Sequence, residues 1–128
     1  MFGWFKRKSS PSEGPDFSEV DSLAKAEALY RKGRLEKLFL MPLEFGGEDH
    51  PLNTLYVPVG TAALKSSTDN NVIGPLAEEG KVTQYQATPR YQGKSQIPIS
   101  IQIVASGTTE FRFEIKIWGE ALAGETQA

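Results

Sequence analysis

The sequence predicts an α+β domain with the element order α-β-β-α-β-β-β, a largely antiparallel sheet and two helices packed on one face of it. Two alternating segments near the C-terminus are the first observation: Ile97, Ile99, Ile101 and Ile103 in one, Phe111, Phe113, Ile115 and Ile117 in the other. Period-two spacing places each apolar set on one side of a strand. The second observation is a pair of helix-like stretches, each bounded by turn residues, one near the start and one mid-chain. The third is the absence of regular strand–helix alternation, which favours an α+β layer over βαβ units.

The elements follow in order. Residues 1–16 divide into an aromatic-basic octet, MFGWFKRK, and a polar linker, SSPSEGPD, expected to be flexible. Three cations and three rings could touch an anionic membrane, but stable anchoring usually takes two signals, so none is expected. Asp16-Phe17-Ser18-Glu19 has the form of a helix start, a cap residue with an acid three positions later. Val20, Leu23, Leu29 and Tyr30 then share a face, and Gly33 is suited to close the helix.

Leu35–Phe45 reads as a strand whose consecutive Leu38, Phe39, Leu40 and Met41 suggest a central position covered on both faces. Pro42 should end or bulge the pairing. Gly46 to Pro51 is a loop by its breakers, and Leu55–Val59 a second strand. Thr61 is placed to cap a second helix carrying Ala62, Ala63, Leu64, Val72, Ile73 and Leu76, interrupted by Gly74-Pro75 and closed by Gly80. Lys81–Thr88 forms a third strand, packed through Val82 and Tyr85, and Ala105–Thr109 the loop of the final hairpin. The domain proper is expected over 17–119, with 120–128 a frayed tail.

Composition excludes several chemistries. The chain has 128 residues, 14 Lys plus Arg against 16 Asp plus Glu, one His and no Cys. Without Cys there is no disulfide framework, thiolate metal site or Cys nucleophile. A formal charge of −2 offers no concentrated basic face, so nucleic acid is not an expected partner. The longest apolar run, Leu38–Leu43, is far too short to span a bilayer, and no secretory signal is evident, which points to the cytoplasm. No phosphate loop, nucleophile elbow or HExxH motif occurs, and no cofactor is implied.

Two segments carry candidate contacts. The densest in polar chemistry is EFGGEDHPLN, with Glu44, Glu48, Asp49, His50 and Asn53. As a loop rich in acceptors it suits contact with a protein partner. Its enzymatic alternative is a small hydrolase or metal-dependent site, with His50 as general base, Glu48 or Asp49 orienting it, and Glu44 available as a further ligand. Adjacent residues 48–50 converge on one point only with a special backbone. The second segment, YQATPRYQGKSQ, offers Arg90, Tyr91 and Lys94, of which Tyr and Arg are typical interface anchors. A third reading is homo-oligomerisation through a strand edge near Phe111–Trp118.

Taken together, PLEFGGEDHPLNTLYVP (Pro42–Pro58) and YQGKSQIPISIQI (Tyr91–Ile103), with FRFEIKIWGEAL after it, resemble small uncharacterised bacterial proteins, some of them immunity partners of polymorphic toxins. The resemblance covers roughly Leu38 to Leu122. It implies a cytoplasmic, non-enzymatic protein that binds and blocks a toxin domain, and it carries no catalytic residues across.

Overall fold

A computed structural model describes residues 15–126 and bears out the class and the element order. Expectations for the aromatic-basic octet lie outside the described residues. Helix α1 (Leu23–Arg31) begins later than Asp16 suggests. Asp16 instead accepts a hydrogen bond from the Ser18 N–H at 2.8 Å and closes a turn. Ser22 caps the helix, its hydroxyl accepting from Lys25 N–H at 3.2 Å. Asp favours such local turns as readily as caps, and the nearer acceptor wins. The helix closes through Gly33 at φ 79°, as expected. It buries Ala26, whereas Leu23 and Tyr30 are largely exposed.

Among the described residues, five strands divide into two antiparallel sheets. The smaller pairs β1 (Leu35–Phe39) with β2 (Thr54–Pro58), Leu35 opposite Pro58 and Phe39 opposite Thr54. β1 is therefore no central strand. It stops at Phe39 because Leu40 and Met41 turn to Asn53: Leu40 N–H donates to the Asn53 carbonyl at 2.9 Å and Met41 N–H to its side-chain oxygen at 2.8 Å. The larger sheet has the order β3 (Val82–Arg90), β4 (Ser100–Gly107), β5 (Glu110–Lys116). Its inner face is apolar and its outer face, with Gln84, Gln86, Thr88, Gln102 and Arg112, is exposed.

Between the sheets in sequence runs one long helical segment in three pieces: α2 (Thr61–Thr68), a wide π-type turn (Asp69–Ile73) and α3 (Gly74–Glu78). The wide turn, with Gly74 N–H donating five residues back to the Asp69 carbonyl, resolves the expected Gly74-Pro75 interruption. Thr61 does not cap α2. Gly60 takes that place at φ 105°, and the Glu36 carboxylate accepts from both Gly60 and Ala62 N–H at 2.9 Å. An acid from β1 thus supplies what a local cap would, at the positive end of the helix.

The core is one continuous cluster shared by both sheets. Ile97, Ile99, Ile101, Ile103, Val57, Ile73 and Trp118 are fully enclosed. Trp118 Nε1 donates to the Ile97 carbonyl at 3.0 Å, and Phe17 packs edge-on against its ring at 5.9 Å. Where the sequence suggests a frayed tail, residues Glu120–Thr126 form α4, held by the Glu120 N–H donating to Gln92 Oε1 at 2.8 Å and by burial of Ala121.

Removing the remote cap gives a clean test of α2. Glu36→Ala is expected to destabilise the domain by about 1 kcal/mol, the usual cost of a lost N-cap, read as a lower urea midpoint at unchanged slope.

Candidate functional site

The two segments singled out by their residues meet at one surface groove. Pro51 and Leu52 border it from the 44–53 loop, Tyr91 and Gln96 from the 91–99 connection between β3 and β4. The first half of the expected 85–96 connection is strand β3 itself. Leu40, Leu55 and Tyr56 form its floor and wall, and Leu23 and Glu27 of α1 close the far side. Its volume is about 560 Å³. Leu52 is 87% exposed, Leu23 56% and Tyr91 47%, so three large apolar side chains stand open to solvent around one cleft. Asp49, Glu27 and Lys37 put charge on its walls. Burial on one side pushes the Tyr91 hydroxyl above its ordinary value, so it is a hydrogen-bond donor at neutral pH.

The geometry of the 44–53 loop comes from a small set of bonds. Leu43–Phe45 forms a single 3₁₀ turn that ends at Gly46, φ 101°. At Gly47 a Cβ would lie 2.0 Å from the Met41 carbonyl oxygen, so no other residue fits there. Asn53 then clamps the loop, its amide donating to Met41 O at 3.0 Å and Glu48 O at 2.9 Å. His50 caps the 3₁₀ turn Pro51–Asn53, its Nδ1 accepting from Leu52 N–H at 3.1 Å. That bond fixes the proton on Nε2 in the neutral ring. It also presents Leu52 to solvent.

These assignments redistribute the eight candidate contact residues. Asp49 and Tyr91 line the groove. Asn53 spends its amide inside the loop and acts as the clamp. His50 shapes the loop through Nδ1. Glu48 is exposed beside the groove, and Glu44 borders a different cleft. Arg90 faces the outer side of the larger sheet, where it pairs with Glu114 at 3.0 Å. Lys94 is exposed and, after the hydrogen-bonded Lys25, adds to the charges that hold the Asp21 carboxyl below its ordinary value. For the enzymatic alternative, Glu48, Asp49 and His50 are all exposed, and among the described residues no three His, Asp or Glu side chains converge to hold a metal ion.

The most polar buried cluster is elsewhere and is invisible to motif reading. Lys65 and Asp69 are each 3% exposed. Lys65 Nζ donates to Asp69 Oδ2 and to the Tyr85 hydroxyl, both at 2.7 Å, and Tyr85 donates to Asp69 Oδ1 at 2.8 Å. The triangle sits beside a cleft of about 270 Å³ bordered by Glu44, Leu38 and Ala62. Burial lowers the Lys65 ammonium from its ordinary value, opposed by Asp69. Burial also raises the Tyr85 hydroxyl strongly, and its bond to Asp69 adds to this. The available sequence signal was spacing: Ala62, Lys65, Asp69, Ile73 and Leu76 fall on one helical stripe, and that stripe is the one turned inward, while Leu64 and Val72 are exposed.

Breaking one corner of this triangle leaves an uncompensated buried charge, so Asp69→Ala is expected to cost about 3–5 kcal/mol. Lys65→Met combined with Asp69→Leu should cost less than either single change, because no orphaned charge remains; urea titration of the three variants decides it. Tyr85 adds a pH signature. Its folded-state pKa lies above the unfolded 10.0, so the stability it contributes is complete below pH 10.0 and lost as pH rises beyond it. The stability gap between wild type and Tyr85→Phe should therefore shrink steadily above pH 10.0.

Comparison with known protein families, curated proteins and solved structures finds no match to this chain, so its function rests on the residues just described.

Proposed function

We propose that this protein is a non-enzymatic binding module that takes an apolar segment of a partner protein in the groove between α1, the 44–53 loop and Tyr91. The observation that carries the reading is Leu52, a large aliphatic side chain held almost wholly in solvent by the His50 and Asn53 bonds, with Tyr91 and Leu23 exposed around the same cleft. An exposed apolar cluster with a charged rim is the composition of a protein-contact site. Tyr91 is of a type enriched among interface anchors. Asp49 and Glu27 at the rim favour a partner segment bearing a cation beside its apolar anchor.

In the setting implied by the sequence resemblance, that partner is a toxin domain and the protein is its cytoplasmic immunity partner. No helix among the described residues is long and apolar enough to cross a membrane.

Leu52→Asp and Tyr91→Ala, both at surface positions, test the reading without disturbing the core. Each should weaken partner binding by about 30-fold or more, the scale of a hot-spot loss of 2 kcal/mol. The measurement is quantitative co-purification from the native cell, followed by calorimetry on the partner recovered. A partner retained equally by wild type and both variants would place the contact elsewhere.

A further inference from the structure

The two outer strands of the larger sheet are treated differently. β3 carries Pro89, and its pairing with β4 slips between Val82 and Gln84. A missing donor and a bulge are two of the devices that blunt a sheet edge. β5, EFRFEIK, has neither, and among the described residues no strand pairs with its outer side. The bonds Ile117 N–H to Ile99 O and Gly107 N–H to Thr109 O mark the odd-numbered pairs of the β4–β5 ladder as hydrogen-bonded. Alternation then turns the N–H and C=O of Glu110, Arg112, Glu114 and Lys116 to the open edge.

The geometry points to a second copy of this chain as the occupant of that edge, joined antiparallel about Phe113 into a continuous six-stranded sheet. A two-fold axis through Phe113 sets Glu110 opposite Lys116 and Arg112 opposite Glu114, and these are the residues whose backbone groups face outward. Every cross-strand pair on the polar face then joins opposite charges. On the other face Phe111 meets Ile115, and Phe113 meets its own counterpart across the axis, which covers two half-buried rings.

Neighbouring registers are disfavoured. Moving the axis to Arg112 sets Glu110 against Glu114 and Arg112 against itself. Moving it to Glu114 sets Arg112 against Lys116 and Glu114 against itself. Opposite charges directly across an antiparallel pair stabilise it and like charges destabilise it, so the register about Phe113 is favoured over both neighbours, and it alone pairs the full length of β5. In the single chain Arg112 pairs with Glu110 and Glu114 with Arg90, so both partners are already ordered on the outer face. Closed two-fold association through one self-complementary patch is the commonest form of homo-oligomer.

Sedimentation equilibrium of the full chain, over a range of concentrations, tests this. Wild type is expected to approach twice the 14.1 kDa chain mass. Glu110→Lys and Lys116→Glu should each raise the dimer dissociation constant about tenfold or more, because each creates two like-charge contacts per dimer. The combined Glu110→Lys, Lys116→Glu exchange should return it toward wild type. Arg112→Pro removes an outward N–H and should leave a monomer, with circular dichroism checking that it stays folded. The inference is overturned if wild type is a monomer throughout, if the two single charge changes leave the dimer intact, or if the double exchange is as weak as the singles.

Discussion

Lys65, Asp69 and Tyr85 tie together parts of the molecule that share no backbone pairing. Lys65 and Asp69 belong to the helical segment lying against the smaller sheet, and Tyr85 belongs to the edge of the larger one. Their three mutual bonds, together with the edge-on contact of Phe45 with the Tyr85 ring at 5.5 Å, join both sheets and the 44–53 loop at one point. A buried ion pair is seldom a gain in net stability over well-packed apolar residues. What it enforces is geometry: an unpaired member is so costly that the helix can dock in only one rotational setting. That setting turns Leu64 and Val72 outward against their apolar character. It also places the wide turn at Asp69–Ile73, where the carboxylate must reach both partners.

The groove depends on that arrangement at one remove. Phe45 anchors one end of the loop near the triangle, and Asn53 clamps the other to Met41. Between them, a glycine that admits no side chain and a histidine used as a cap leave few degrees of freedom. Leu52 stands in solvent where the His50 cap and the Asn53 clamp set the backbone direction of the loop. That cap gives the one histidine a definite structural role, as an acceptor for Leu52 N–H.

Much was legible in the sequence. Alternation through Ile101, Ile103, Phe111, Phe113 and Ile115 marked the inner faces of β4 and β5. Ile97 and Ile99 instead precede β4, with Pro98 and Ser100 buried beside them. Residues 105–107, expected in the hairpin loop, extend β4 because each pairs across to β5 or β3. Gly33, Pro42 and Gly74-Pro75 marked real boundaries, since each alters backbone freedom locally. The two segments bordering the groove were also recognisable from their residue types. The start of α1 was misplaced by six residues, because an Asp followed by an acid three positions on has the same local pattern whether it caps a helix or closes a turn. Here Asp16 closes a turn while Ser22 caps the helix. Lys65 and Asp69 were not recognised because charged residues on a helix are ordinarily solvated, and only a partner from a distant strand makes their burial tolerable.

The sequence by itself determined the class, the inner faces of the last two strands, the glycine-closed end of α1 and the absence of cysteine chemistry, all of which follow from local periodicity, backbone restriction and composition. Tertiary structure alone decided that five strands split into two sheets, that Glu36 caps a helix 24 residues away, and that Asp49 and Tyr91 share a groove while Arg90 faces elsewhere. The physical reason is common to all three. Each depends on which distant groups satisfy one another once water is excluded, a pairing on which local pattern carries no information.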